Sequence, residues 1–201
     1  AYTPSGVLYE MDARLRPEGN SGLLVTSMQA FVDYQKHRAR LWEHQALLRA
    51  RAVAGDGKVM QSFENARREI LTEMTQDPEH LRREILDMRR QMRENLDKSS
   101  EDRLDLKQGV NGMVDIEFLI QYWVLRSVAA CPQLLNETSM LGFLKILADK
   151  GIIAQDKAEI LRSRYTWLRE QANLQALQEE PAMISCDKVE PLSLSILDWI
   201  C

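Results

Sequence analysis

VDIEFLIQYWVLRSV, residues 114–128, reads as a helix that is apolar on nearly every side. A helix with that composition belongs at the buried centre of a bundle. Working outward, the flanking segments supply partners for it. Pro78 opens a helix in which Leu81, Ile85, Met88, Met92 and Leu96 recur at spacings of four and three, the period of an amphipathic helix. Its other face is dense in Arg and Glu and is expected to be solvated. A helix is predicted from Val59 to about Met74. Ser27 is a suitable N-cap for a long helix whose stripe is Phe31, Tyr34, Leu41, Trp42 and Leu48, stopped by Gly55 and Gly57. Lys98 to Asn111 is polar and reads as a loop. Helices near Ser139–Lys150, Gln155–Gln178 and Pro191–Ile200 complete the pattern.

One region alone has the period of a strand. In GVLYEMDARLR, residues 6–16, Val7, Tyr9, Met11, Ala13 and Leu15 alternate with Glu10, Asp12, Arg14 and Arg16, so the two sets fall on opposite faces. Pro17 ends the strand by lacking an N–H, Gly19-Asn20-Ser21-Gly22 makes a turn, and Leu23-Leu24-Val25 can pair back. The expected fold is mainly α: a short β-hairpin, residues 1–26, then a helical bundle, residues 27–201. The hairpin is expected to lack further sheet partners.

Composition removes several functional classes. The chain has 201 residues, 45% hydrophobic and 28% charged, as in ordinary globular proteins. Its net charge of −4, with both signs interspersed, argues against nucleic acid as the main partner, which needs a basic face. No apolar run approaches the length that spans a membrane. The start, Ala1-Tyr2-Thr3-Pro4, is not a signal peptide and lacks Met, which suggests a piece of something longer. Cys131, Cys186 and Cys201 are not spaced as metal ligands, and a reducing cytoplasm is the simplest setting.

The chemistry-bearing residues cluster on the strand. A carboxylate, Asp12, beside the guanidiniums of Arg14 and Arg16 can bind a divalent cation and the phosphates that accompany it. The plainer alternative is an exposed strand whose charges pair across its wet face. Both stay open on alternation alone.

LYEMDARLRPEGNSGLLVTS, Leu8 to Ser27, closely resembles the signature of the bacterial glutamine synthetase adenylyltransferases. YQKHRARLWEHQALLRARAVAGD, Tyr34 to Asp56, and DIEFLIQYWVLR, Asp115 to Arg126, are similar to the same family. The resemblance implies an enzyme that attaches AMP from ATP to a tyrosine of glutamine synthetase, in the cytoplasm, under control of the signalling protein PII. A sister domain removes the AMP by phosphorolysis. Tyr9-Glu10, Ala13 and the Glu43-His44-Gln45 run sit closer to the AMP-adding, carboxyl-terminal half of that family. The hairpin is then the end of an α+β nucleotidyltransferase domain.

Within that family, Asp12 matches a third carboxylate that joins an Asp-x-Asp pair after a Gly-Ser to hold two Mg²⁺ ions. This sequence contains no Gly-Ser and no Asp-x-Asp, so the fragment is expected to be inactive alone. Gly112-Met113-Val114-Asp115-Ile116-Glu117 imitates the pattern, but on a helix positions i and i+2 lie roughly 200° apart. Asp115 and Glu117 then either complement the dipole of their helix or line the nucleotide cleft with Lys107 on a mobile loop before them. Arg49 and Arg51 are dipole partners or neighbours of the nucleotidyltransferase sheet. Trp42, Trp123 and Trp167 are core or interface aromatics, and His37, His44 and His80 receive no role. Two rivals remain: phosphorolytic removal of AMP, and a helical docking module that binds glutamine synthetase or PII.

Overall fold

A computed structural model describes residues 2–4, 6, 7, 12, 13, 15–73, 77–189 and 195–200. Among the described residues the α-helices are seven: α1 Met28–His37, α2 Leu41–Arg49, α3 Gly57–Glu73, α4 Pro78–Leu96, α5 Met113–Ser127, α6 Met140–Asp149 and α7 Gln155–Leu177. The protein is mainly α, as its periodicities require. Two short antiparallel pairs accompany the helices: β1 Tyr2–Thr3 with β2 Gly6–Val7, and β3 Arg103–Asp105 with β4 Met183–Ser185.

The hydrophobic helix α5 is the axis of the bundle. From Val114 to Leu125 every residue but Glu117 is buried. Around it pack α4, α6, α7 and a closing 3-10 turn, Ile196–Ile200. The row Leu81 and Ile85 of α4 faces this core, Met88 and Met92 are half-buried, and Leu96 is exposed. Asp77 caps α4 by accepting from the N–H groups of Glu79 and His80, at 3.0 and 3.1 Å.

Four expectations are corrected. The long first helix is two, although no Gly or Pro divides it. Arg38 and Ala39 both donate N–H to the Tyr34 carbonyl, ending α1. The Glu43 carboxylate then accepts the Arg40 N–H at 3.0 Å and starts α2, as in a capping box.

The second correction is the hairpin. β2 pairs with β1 before it, not with residues 23–25. Leu23, Leu24 and Val25 are 80, 71 and 81% exposed and lie outside any strand. The Arg16 guanidinium curls the chain instead, donating to the carbonyls of Ala13 at 2.7 Å, Gly22 at 3.3 Å and Asn20 at 3.4 Å. A Cβ at Gly22 would lie 2.0 Å from the Pro17 carbonyl oxygen, so the curl needs glycine there.

Third, the polar segment 98–111 is not a plain loop, because β3 within it pairs with β4, some 80 residues onward. The fourth is the last predicted helix, Pro191–Ile200. Its described portion is the 3-10 turn Ile196–Ile200, and residues 191–194 lie outside the described residues.

Candidate functional site

Asp12 is exposed, and the segment that carries it is tied to α1. Arg38 Nη1 donates to Glu18 Oε1 at 2.6 Å and lies over the Tyr34 ring, 5.1 Å from its centroid. The Tyr34 hydroxyl donates to Glu43 Oε1 at 3.1 Å, linking the segment through α1 to the start of α2. Arg14 lies outside the described residues. Arg16 is engaged with the three carbonyls of its own turn.

The second group of candidates surrounds the start of α5. The Lys107 side chain is exposed, while its N–H and that of Gln108 both donate to Asp105 Oδ1 at 2.9 Å. Asp115 is fully buried. Its carboxylate accepts from Arg89 Nε at 2.6 Å, from Arg93 Nη2 at 2.8 and 2.7 Å, and from the Asn111 N–H at 2.8 Å. Arg89 also donates to the Gln108 carbonyl at 2.6 Å. Asn111 takes the left-handed conformation, φ 58°, as asparagine tolerates. Its side-chain oxygen accepts the Ile196 N–H at 2.8 Å.

The loop 107–112 was expected to be mobile. It is instead anchored at Asp105, Arg89, Asp115 and the terminal turn. A Cβ on Gly112 would stand 2.8 Å from the Gly109 carbonyl oxygen, so close packing of backbone on backbone explains that glycine.

Glu117 is half-buried and accepts from the Tyr165 hydroxyl at 2.7 Å. Burial, then the Glu117 charge, push the Tyr165 pKa well above its ordinary value. Arg49 and Arg51 are exposed. Trp123 is buried, whereas Trp42 and Trp167 are half-buried.

Two Mg²⁺ ions need several carboxylate oxygens in register. Among the described residues no three His, Cys, Asp or Glu side chains are grouped to hold a metal. Asp12 can offer one carboxylate to such a site, and these residues do not complete it.

Sequence reasoning missed the buried arginines. Arg67 and Arg89 are 1 and 0% exposed. Arg67 donates to the carbonyls of Leu47, Leu48 and Leu135 at 2.9, 2.5 and 3.0 Å, so it satisfies the end of α2, whose last carbonyls lack helical partners. A signal existed in each case. Arg89 continues the i, i+4 row Leu81 and Ile85, and Arg67 falls between Phe63 and Ile70 on α3.

His44 was given no role and is fully buried, with Nε2 3.0 Å from the Gln35 carbonyl oxygen. Desolvation lowers its pKa below the ordinary value. The unfolded chain therefore binds a proton more readily, and stability falls as pH drops below about 6.5. The expected outcome is that unfolding free energy declines between about pH 7 and 5 in the native protein and less steeply in His44→Gln. Denaturant titrations at several pH values check this.

Residues 1–66 match the family model described as glutamate-ammonia ligase adenylyltransferase, and residues 79–182 match the one described as GlnD PII-uridylyltransferase. The first span carries Asp12 and runs through α1 and α2. The second runs from α4 through α7 and contains the Asp115 clamp.

Proposed function

The chain belongs over residues 79–182 to the GlnD PII-uridylyltransferase family and carries beside it an adenylyltransferase-type segment; from this nucleotidyltransferase kinship we propose that it is part of an enzyme that transfers AMP from ATP to a tyrosine of glutamine synthetase in the cytoplasm. The observation that carries the reading is Asp12, an exposed carboxylate inside the segment that matches the adenylyltransferases. Asp12 contributes one carboxylate to a magnesium site completed by carboxylates elsewhere in the enzyme. Residues 1–26 form the end of the nucleotidyltransferase domain, and residues 27–201 the helical domain behind it. Arg14 and Lys107 are the cations proposed for the nucleotide phosphates. Arg16 joins them only if its hold on the turn is released.

Addition rather than removal of AMP is the direction favoured by Tyr9-Glu10, Ala13 and Glu43-His44-Gln45. The last three residues act through packing. Glu43 receives the Tyr34 hydroxyl, His44 meets the Gln35 carbonyl, and Gln45 Nε2 donates to Gln121 Oε1 at 2.9 Å. All three are buried.

A second reading, a helical module that docks PII or glutamine synthetase, draws support from the second match, whose description names PII. One experiment separates the two. The isolated chain is mixed with glutamine synthetase, magnesium and ATP labelled at the α-phosphate, and both label transfer and co-purification are scored. The account expects no transfer by the isolated chain and transfer by the whole enzyme. Label transfer by the chain alone would overturn the shared site, and retention on glutamine synthetase, or on PII in a parallel pull-down, without chemistry would support docking.

A further inference from the structure

The end of α5 opens onto a concave surface remote in sequence from Asp12. One lobe, about 430 Å³, lies between Arg126, the turn at residues 131–133 and Lys150. A second, about 410 Å³, lies between Arg126, Lys157 and Trp199. Arg126, Ser127 and Ile152 line both, so the lobes form one groove. Each volume lies in the range that holds small molecules.

The charge of this groove is unlike that of the rest of the chain. The sequence carries more acids than bases, yet three bases and no acid are among the groove's lining residues. Some cations elsewhere pair on their own helices: Arg90 with Asp87, Arg162 with Glu159, Lys145 with Asp149. Among the described residues, Arg126, Lys150 and Lys157 form no ion pair. Of the acids adjacent in sequence, Asp149 beside Lys150 pairs with Lys145, Asp156 accepts the Lys157 N–H at 2.8 Å, and Asp198 is exposed beside Trp199.

Two of the three cations are also held in place. Lys157 Nζ lies over the Trp199 ring, 5.3 Å from its centroid, an attractive arrangement for an ammonium. Arg126 Nη1 donates to the Tyr122 hydroxyl at 3.4 Å. A concave surface lined by one sign of charge concentrates the opposite sign, and Ile152 with Trp199 adds an apolar wall.

We propose that this groove binds a small organic polyanion, with phosphate or carboxylate groups held by Arg126, Lys150 and Lys157 and an apolar portion against Ile152 and Trp199. The inference does not rest on the AMP-transfer reading, since none of the groove's lining residues is among those proposed for it. It takes three helix ends, α5, α6 and α7, as its walls, so occupancy couples their relative positions.

Isothermal titration of the 201-residue chain with ATP in EDTA, and separately with citrate, at fixed ionic strength tests this. Trp199 supplies a second signal, since its fluorescence should change on binding and the change should vanish in Trp199→Phe. Saturable binding of at least one probe is expected, and the better probe distinguishes phosphate from carboxylate recognition. Arg126→Ala and Lys157→Ala should each weaken it on the order of tenfold, as for loss of a charge-assisted contact. Lys145→Ala, whose cation pairs outside the groove, should leave it unchanged. Thermal unfolding monitors the fold, and Lys150→Gln carries the test if Arg126→Ala does not fold. Absence of saturable binding by both probes would overturn the proposal. So would equal weakening by Lys145→Ala and Lys157→Ala, the signature of general surface charge.

Discussion

Replacing Asp115 by alanine should lower the unfolding free energy by about 3–5 kcal/mol, the usual cost of removing one partner from a buried ion pair. Arg89 is completely buried and would keep only the Gln108 oxygens as acceptors. Arg93 would lose its carboxylate as well. The Asn111 N–H would lose the Asp115 carboxylate that now accepts it, which removes one of the anchors of loop 107–112. An acid that merely complemented a helix dipole would cost about 1 kcal/mol or less. Denaturant unfolding of Asp115→Ala separates the two. The double variant Arg89→Met with Asp115→Leu should recover part of the loss, because it removes the two fully buried charges together and leaves only the partly exposed Arg93 without its carboxylate. A loss below about 1 kcal/mol in the single variant would show that the clamp contributes little.

Asp12→Asn should have the opposite profile. The side chain is exposed, and amide for carboxylate changes neither size nor burial, so stability should stay within about 0.5 kcal/mol of the native value. In the whole enzyme the AMP-adding rate should fall by about 10²-fold or more, as when a preorganised electrostatic group at a reacting centre is removed. Measuring turnover and the unfolding midpoint on the same preparations keeps a folding defect from passing as a catalytic one. Near-native turnover would remove Asp12 from the chemistry.

The helical half of the molecule was legible because its periods are strong. The all-round apolar run of α5 required a buried axis, and Pro78 and Ser139 marked helix starts within a residue of those observed. What escaped were features set by tertiary contact. The break between α1 and α2 carries no Gly or Pro and arises from Glu43 turning back on Arg40. The β3–β4 pair joins segments some 80 residues apart, each too short to stand out. Of the strand expected at residues 6–16, Gly6–Val7 is extended and paired with β1, residues 8–11 and 14 lie outside the described residues, and at its far end Arg16 satisfies three carbonyls of a turn.

Asp115 shows the same limit at the level of a site. Its position in the first turn of α5 was visible, together with the two roles that position suggests. Its actual partners, Arg89 and Arg93, come from α4, on a helix face that looked solvated because arginine is usually exposed. The i, i+4 continuation from Leu81 and Ile85 to Arg89 was the available signal. Lys107, by contrast, is exposed as a polar loop residue should be, on a loop held more firmly than its composition suggested.

The most direct test of the proposed function is a paired assay of the whole enzyme and its Asp12→Asn variant. One arm follows label from the α-phosphate of ATP onto glutamine synthetase, and the other follows phosphate-dependent release of AMP from the adenylylated protein. The account predicts that the variant loses addition and retains release. Loss of release with addition intact would contradict it and assign Asp12 to the removal of AMP.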